Sequence, residues 1–115
     1  VRIAYVTTDE VNQDLALRLA DDFGAELCPL SPKDPPPNGE FDAMVYDLDY
    51  LPPEGRRAIL AGLLAGPRSC AVAVHSHNLR EDQADALRAG GIAVSSRLEP
   101  EMFRLLRPRG RTSAK

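Results

Sequence analysis

The chain has 115 residues, 43% of them hydrophobic and 27% charged, with a formal net charge of −3. That composition suits one globular domain with a single core and excludes a disordered chain. No apolar run approaches the roughly 18 residues that span a bilayer and no signal-peptide pattern opens the sequence, so a cytoplasmic location is expected.

Ile3-Ala4-Tyr5-Val6 is a continuous apolar run and predicts the first strand. Thr7 and Thr8 follow it, and Thr7 with Glu10 matches a capping box at a helix start. Val11, Leu15, Leu19 and Phe23 recur at four-residue spacing, with Ala16 and Ala20 beside them. These are the expected core face of a helix, and Gly24 is its natural stop. Ala25 to Leu30 predicts a weaker second strand. Pro29 within it has no ladder donor and marks an edge position. Residues 31–40, SPKDPPPNGE, contain three successive prolines, which exclude a helix and predict an extended connector.

The most informative stretch is 41–55, FDAMVYDLDYLPPEG. Ala43-Met44-Val45-Tyr46 is long enough for a buried strand and too short for a helix. It ends at Asp47, Asp49 follows two residues later, and Pro52-Pro53 open the next element. Glu54 to Ala65 predicts a helix with Ile59, Leu60, Leu63 and Leu64 on its apolar side, ended by Gly66-Pro67. Cys70 to Val74 predicts a fourth strand, followed by the polar cluster His75-Ser76-His77-Asn78. Arg80 to Ala89 reads as a helix ending at Gly90-Gly91, and Ile92 to Ser95 as a fifth strand. A last short helix is expected from Glu99 to Leu106, with Met102, Phe103 and Leu106 toward the core. Residues 1–107 form the expected domain and 108–115 a basic tail or linker.

Strand and helix alternate throughout, except across the Pro-rich stretch, where a second helix is missing. Such alternation predicts an α/β, doubly wound parallel sheet of five strands, in the flavodoxin-like order 2-1-3-4-5. Thr7, Thr8, Asp47, His75 and Arg97 then share the rim at the carboxyl ends of the strands, where such sheets carry their ligands. Cys28 and Cys70 fall three strand positions apart, about 14 Å at the usual strand spacing. A disulfide spans about 7 Å between Cα atoms, so both are expected as free thiols. Residues 104–115 carry five cations and no acid, which leaves −8 on the rest of the chain. An acidic body argues against a broad nucleic-acid footprint, and any such contact is expected through another domain.

Over residues 2–107 this layout resembles the receiver domain of two-component response regulators, the CheY-like superfamily. Asp47 falls at that family's phosphoacceptor position at the end of strand three, and Gly55 where a glycine opens the family's third helix. Ala89-Gly90-Gly91 with Arg97 downstream matches the register before the last helix. Four departures accompany the match. Thr7 and Thr8 stand where an acid pair holds Mg²⁺, His75 (with Ser76 beside it) where a Thr or Ser ends strand four, Arg97 in place of a Lys, and Leu98 in place of a proline.

Phosphoryl transfer to a carboxylate needs a hard cation, and Mg²⁺ favours carboxylate and water oxygens. Two neutral threonines do not supply that charge, so the resemblance implies a degenerate pseudo-receiver, not an enzyme, that binds Mg²⁺ weakly or not at all. Asp9 and Asp49 are the acids nearest to a substitute pair, with Asp9 expected in the first helical turn. His75 and His77, two apart at a strand end, are not expected to ligate a metal together. Ser76 lacks a nucleophile-elbow turn, and Gly90-Gly91 follows a helix rather than a strand, so neither hydrolase nor dinucleotide chemistry is indicated. Arg97 is expected to pair with Asp47, and His75 to hydrogen-bond it. The family's contact face would here include Arg80, Glu81, Asp85, Glu101 and Arg104. It would meet a protein partner, a fused output domain, or a second copy in a homodimer across helix four, strand five and helix five. The alternatives are an atypical receiver still phosphorylated on Asp47 in a phosphorelay, and a small-molecule-binding flavodoxin-like domain.

Overall fold

The computed structural model describes residues 2–31, 41–65 and 70–98. Its elements run β1 (Arg2–Val6), α1 (Glu10–Asp22), β2 (Glu26–Leu30), β3 (Ala43–Asp47), α2 (Pro53–Ala65), β4 (Ala71–His75), α3 (Glu81–Ala89) and β5 (Ala93–Ser95). The five strands form one sheet in the order β2-β1-β3-β4-β5, and every neighbouring pair is parallel. Topology and order are those expected from the alternation. The Pro-rich connector falls largely outside the described residues, as does the predicted helix over 99–106.

Side chains alternate across the sheet with a period of two, so β3, β4 and β5 each feed two cores. Ile3, Tyr5, Ala43, Val45 and Ala73 pack with Ala16 and Ala20 of α1, joined by Leu19 and Phe23 at their edge. Val72 and Val74 point the other way, onto Leu60 and Leu63 of α2 and Leu87 of α3. Val45 and Val74 are fully buried, and each contributes roughly 1.5–3 kcal/mol by burial.

The helix ends follow from their glycines. Gly24 has φ +68°, its N–H bonds the Asp21 carbonyl, and Ala25 N–H reaches back to Ala20. That is a Schellman stop, as the sequence implies. The start of α1 differs from expectation. Asp9 is the N-cap, its carboxylate accepting the Asn12 N–H at 2.9 Å, so it precedes the first turn and replaces the expected Thr7–Glu10 box.

The apolar face of α1 also differs from the four-residue stripe. Val11 is 73% exposed and Leu15 39%, while Ala16 and Ala20 are buried. A step of four residues advances about 400° round a helix, so the stripe drifts about 40° per step. By Val11 it has wound about 120° away from Phe23 and off the sheet. Cys28 and Cys70 are half-buried and not joined in a disulfide, in keeping with their separation across the sheet.

Candidate functional site

At the carboxyl rim the α1-facing side of the sheet turns polar. Tyr5 and Thr7 continue the inward set of β1, Asp47 continues that of β3, and His75 lies in register with Asp47 on β4. Asp47 is fully buried, and a buried carboxylate has to be hydrogen-bonded. Thr7 Oγ1 donates to Oδ2 at 2.7 Å, Asn12 Nδ2 donates to the same oxygen at 2.9 Å, and the Asp49 N–H donates to Oδ1 at 3.2 Å. His75 Nδ1 stands 3.9 Å from Oδ1, beyond hydrogen-bond reach. Its Nε2 is instead 2.7 Å from the Tyr5 hydroxyl, and the two rings stack with centroids 5.8 Å apart.

A second layer ties this cluster to the loops. Thr7 Oγ1 accepts the Asp9 N–H at 3.0 Å, which fixes the head of α1 and brings Asn12 over Asp47. The Thr8 hydroxyl donates to the Tyr50 carbonyl. Asp49 accepts from Ser76 Oγ at 2.7 Å and from the His77 N–H at 2.9 and 3.1 Å, clamping the loop after β3 to the loop after β4. Over the rim opens a cleft of about 510 Å³, its walls including Leu15, Tyr50, His75 and Arg97.

Burial drives the electrostatics. It pushes the Tyr5 hydroxyl far above its usual range, with the charges of Asp47 and Asp9 adding to the effect. It holds His75 below an ordinary histidine, outweighing the attraction of Asp47 and Asp49, and His77 lowers it further. For Asp49 burial works upward but loses to the Ser76 and His77 hydrogen bonds and to the nearby charges of His77 and Arg56, so its pKa is lowered.

No family model matches the chain, and no curated protein matches it in sequence. Solved structures do. A signal receiver domain of a histidine kinase from Clostridium thermocellum superposes with a TM-score of 0.62 at 7% identity, covering 93% of this chain and 98% of that one. The receiver domain of the sensor histidine kinase PA1611 from Pseudomonas aeruginosa, with magnesium in its active-site cleft, gives 0.58 at 13%, covering 91% and 93%. The Mn²⁺-bound response regulator Rcp1 gives 0.59 at 19%, covering 91% and 88%. This chain has the receiver fold.

Within that receiver fold the expected rim residues Thr7, Thr8, Asp9, Asp47, Asp49, His75 and Ser76 come together as described. Arg97 does not join Asp47. It is exposed beside the cleft, with its carbonyl accepting from Ser95 Oγ at 2.8 Å. The physical reason is that neutral donors already satisfy the Asp47 oxygens, and burying a guanidinium among them would add a desolvation cost. Nor does His75 hydrogen-bond Asp47, since Tyr5 holds it. Among the described residues no group of three or more His, Cys, Asp or Glu side chains is placed to hold a metal ion.

Tyr5 and Asn12 are the site residues that sequence reasoning missed. A tyrosine inside an otherwise aliphatic run is a signal for Tyr5, because its hydroxyl must find a buried partner. Asn12 gives a weaker one, three residues after the capping Asp9. On the surface of α3, Arg80 and Glu81 are exposed, Arg80 pairs with Asp82 at 2.9 Å, and Asp85 pairs with Arg88 at 3.7 Å. Glu101 and Arg104 lie outside the described residues. No described helix is long and apolar enough to cross a membrane.

Proposed function

We propose that this chain is a pseudo-receiver, a signalling module of the response-regulator type that acts through protein–protein contacts without being phosphorylated. One observation carries the reading. Asp47, at the position that matches the phosphoacceptor, is fully buried and held by three neutral donors from Thr7, Asn12 and the Asp49 amide. A carboxylate that attacks phosphorus needs an accessible oxygen and a hard cation beside it.

The residues present do not fit that cation. Thr7 and Thr8 are uncharged and both hydroxyls are committed, Asp9 caps α1, and Asp49 clamps two loops. The PA1611 receiver coordinates magnesium in its cleft and Rcp1 binds manganese, whereas here the same rim is filled by hydrogen bonds of its own. The module is not an enzyme and takes no cofactor. Its partner is another protein or an output domain on the same chain, engaged in the cytoplasm over the α3 face at Arg80, Glu81 and Asp85.

Beryllofluoride with Mg²⁺, which mimics an aspartyl phosphate, tests the reading in ¹H–¹⁵N spectra. The amides of Thr8, Asp47 and Asp49 are expected to stay where they are. A saturable shift of those signals with both reagents present would overturn it in favour of a receiver phosphorylated on Asp47.

A further inference from the structure

We infer that His75 is a proton sensor: when protonated it captures Asp47 from its neutral donors and pulls on the Asp49 clamp that joins the loops after β3 and β4. The inference needs no phosphoryl group, so it stands apart from the beryllofluoride result.

The geometry sets the resting state. His75 is 2% exposed, with Nδ1 facing the Asp47 carboxylate and Nε2 facing the Tyr5 hydroxyl. A carboxylate donates nothing, so the single proton of the neutral ring belongs on Nδ1, and Tyr5 donates to the bare Nε2. A second proton on Nε2 reverses that bond. Tyr5 must then accept rather than donate, and the ring becomes a buried cation whose natural counter-charge is Asp47.

Closing the pair requires Nδ1 and Oδ1 to approach from 3.9 Å to a charge-assisted distance of about 2.8 Å. Oδ1 also holds the Asp49 N–H, and Oδ2 holds Thr7 and Asn12, so an approach of about 1 Å strains all three bonds. Asp49 in turn grips Ser76 Oγ and the His77 N–H, so the strain reaches the loop that leads into α3. A shift of about 1 Å at a packed rim is transmitted because the interior is not freely deformable.

The groups around His75 decide the balance from each side. Tyr5 comes from β1, with Asp9 near it at the head of α1. Asp47 and Asp49 come from β3 and its loop, and His77 from the turn that follows β4. Ser95 is opposite on β5, with Arg97 across the cleft. Asn12 and Leu15 of α1 bring no charge. Two acids favour the imidazolium, while burial and His77 oppose it, which places the transition on the acid side of an ordinary histidine.

The chain has only two histidines, so ¹⁵N-imidazole spectra of the His77→Asn protein report His75 alone. The expected result is a His75 midpoint below 6.5, with the Asp49 amide and the Asn12 side-chain amide shifting at that same midpoint. In His75→Gln those two signals should stay flat across the range. His75 titrating while both amides stay silent would overturn the inference, and so would a ring that stays neutral until acid unfolds the protein. The titration of the histidine-containing protein decides the matter even where His75→Gln fails to fold.

Discussion

Thr7→Val is the sharpest perturbation of the Asp47 cage, because it keeps the shape of the side chain and deletes only its hydroxyl. Thr7 Oγ1 donates to a carboxylate oxygen that water does not reach, at 2.7 Å. Hydrogen bonds to charged groups contribute about 1.5–3 kcal/mol, and with Asp47 sealed from solvent nothing replaces the lost one. Thr7 Oγ1 also accepts the Asp9 N–H, a partly buried bond that adds about 0.5–1 kcal/mol. The expected cost is thus about 2–4 kcal/mol, or about 8–16 °C in Tm for a chain of this size. Thr7→Ser keeps the hydroxyl and loses one methyl, so it should cost about 1 kcal/mol or less. Urea unfolding followed by circular dichroism, with unchanged m, measures both. The reasoning fails if Thr7→Val lies within about 0.5 kcal/mol of the parent protein, or if Thr7→Ser costs as much as Thr7→Val.

Three further outcomes are expected. Because burial depresses the His75 pKa in the folded state, its contribution to stability is fully present above the unfolded value of 6.5 and is lost as pH falls through the folded one. The urea midpoint should therefore drop on the acid side of 6.5, and His75→Gln should flatten that part of the profile. Gly91 has φ +85° and closes α3 with the Ile92 N–H on the Leu87 carbonyl at 3.0 Å. Gly91→Ala should cost about 1–2 kcal/mol in thermal unfolding, whereas Gly62→Ala, exposed within α2 with no atom within 4 Å of an added methyl, should stabilise by about 0.5–1 kcal/mol.

How much of this was legible in the sequence differs from residue to residue. The third strand and its terminal Asp47 could be read because four apolar residues bounded by an acid and a proline pair leave one interpretation. Strand order followed from alternation and from Pro29. The donor set of Asp47 could not be read, since it depends on where the head of α1 crosses the rim. Spacing along one helix does not fix that crossing, so Asn12 went unseen. Arg97 is matched to Asp47 by charge and by its place at the family's lysine position, but a guanidinium needs a carboxylate oxygen left open to it. Both oxygens are already taken by neutral donors from Thr7, Asn12 and the Asp49 amide. Val11 and Leu15 were misplaced by a stripe that drifts round the helix, an error that a 3.6-residue period would have exposed.

Pro29 has a consequence for colloidal behaviour. The Thr7 N–H bonds the Leu30 carbonyl at 3.3 Å, so Leu30 faces β1 and Pro29, its neighbour, faces the open margin of the sheet. The amide missing from Pro29 is therefore missing from that margin, where an incoming strand would look for a donor. Glu26 sets an exposed acid on the same strand. A second molecule that tried to extend the sheet at β2 would meet a gap in the ladder. Exposed strand margins are the common nucleus of fibrils and precipitates, and this one is blunted by a single imino acid.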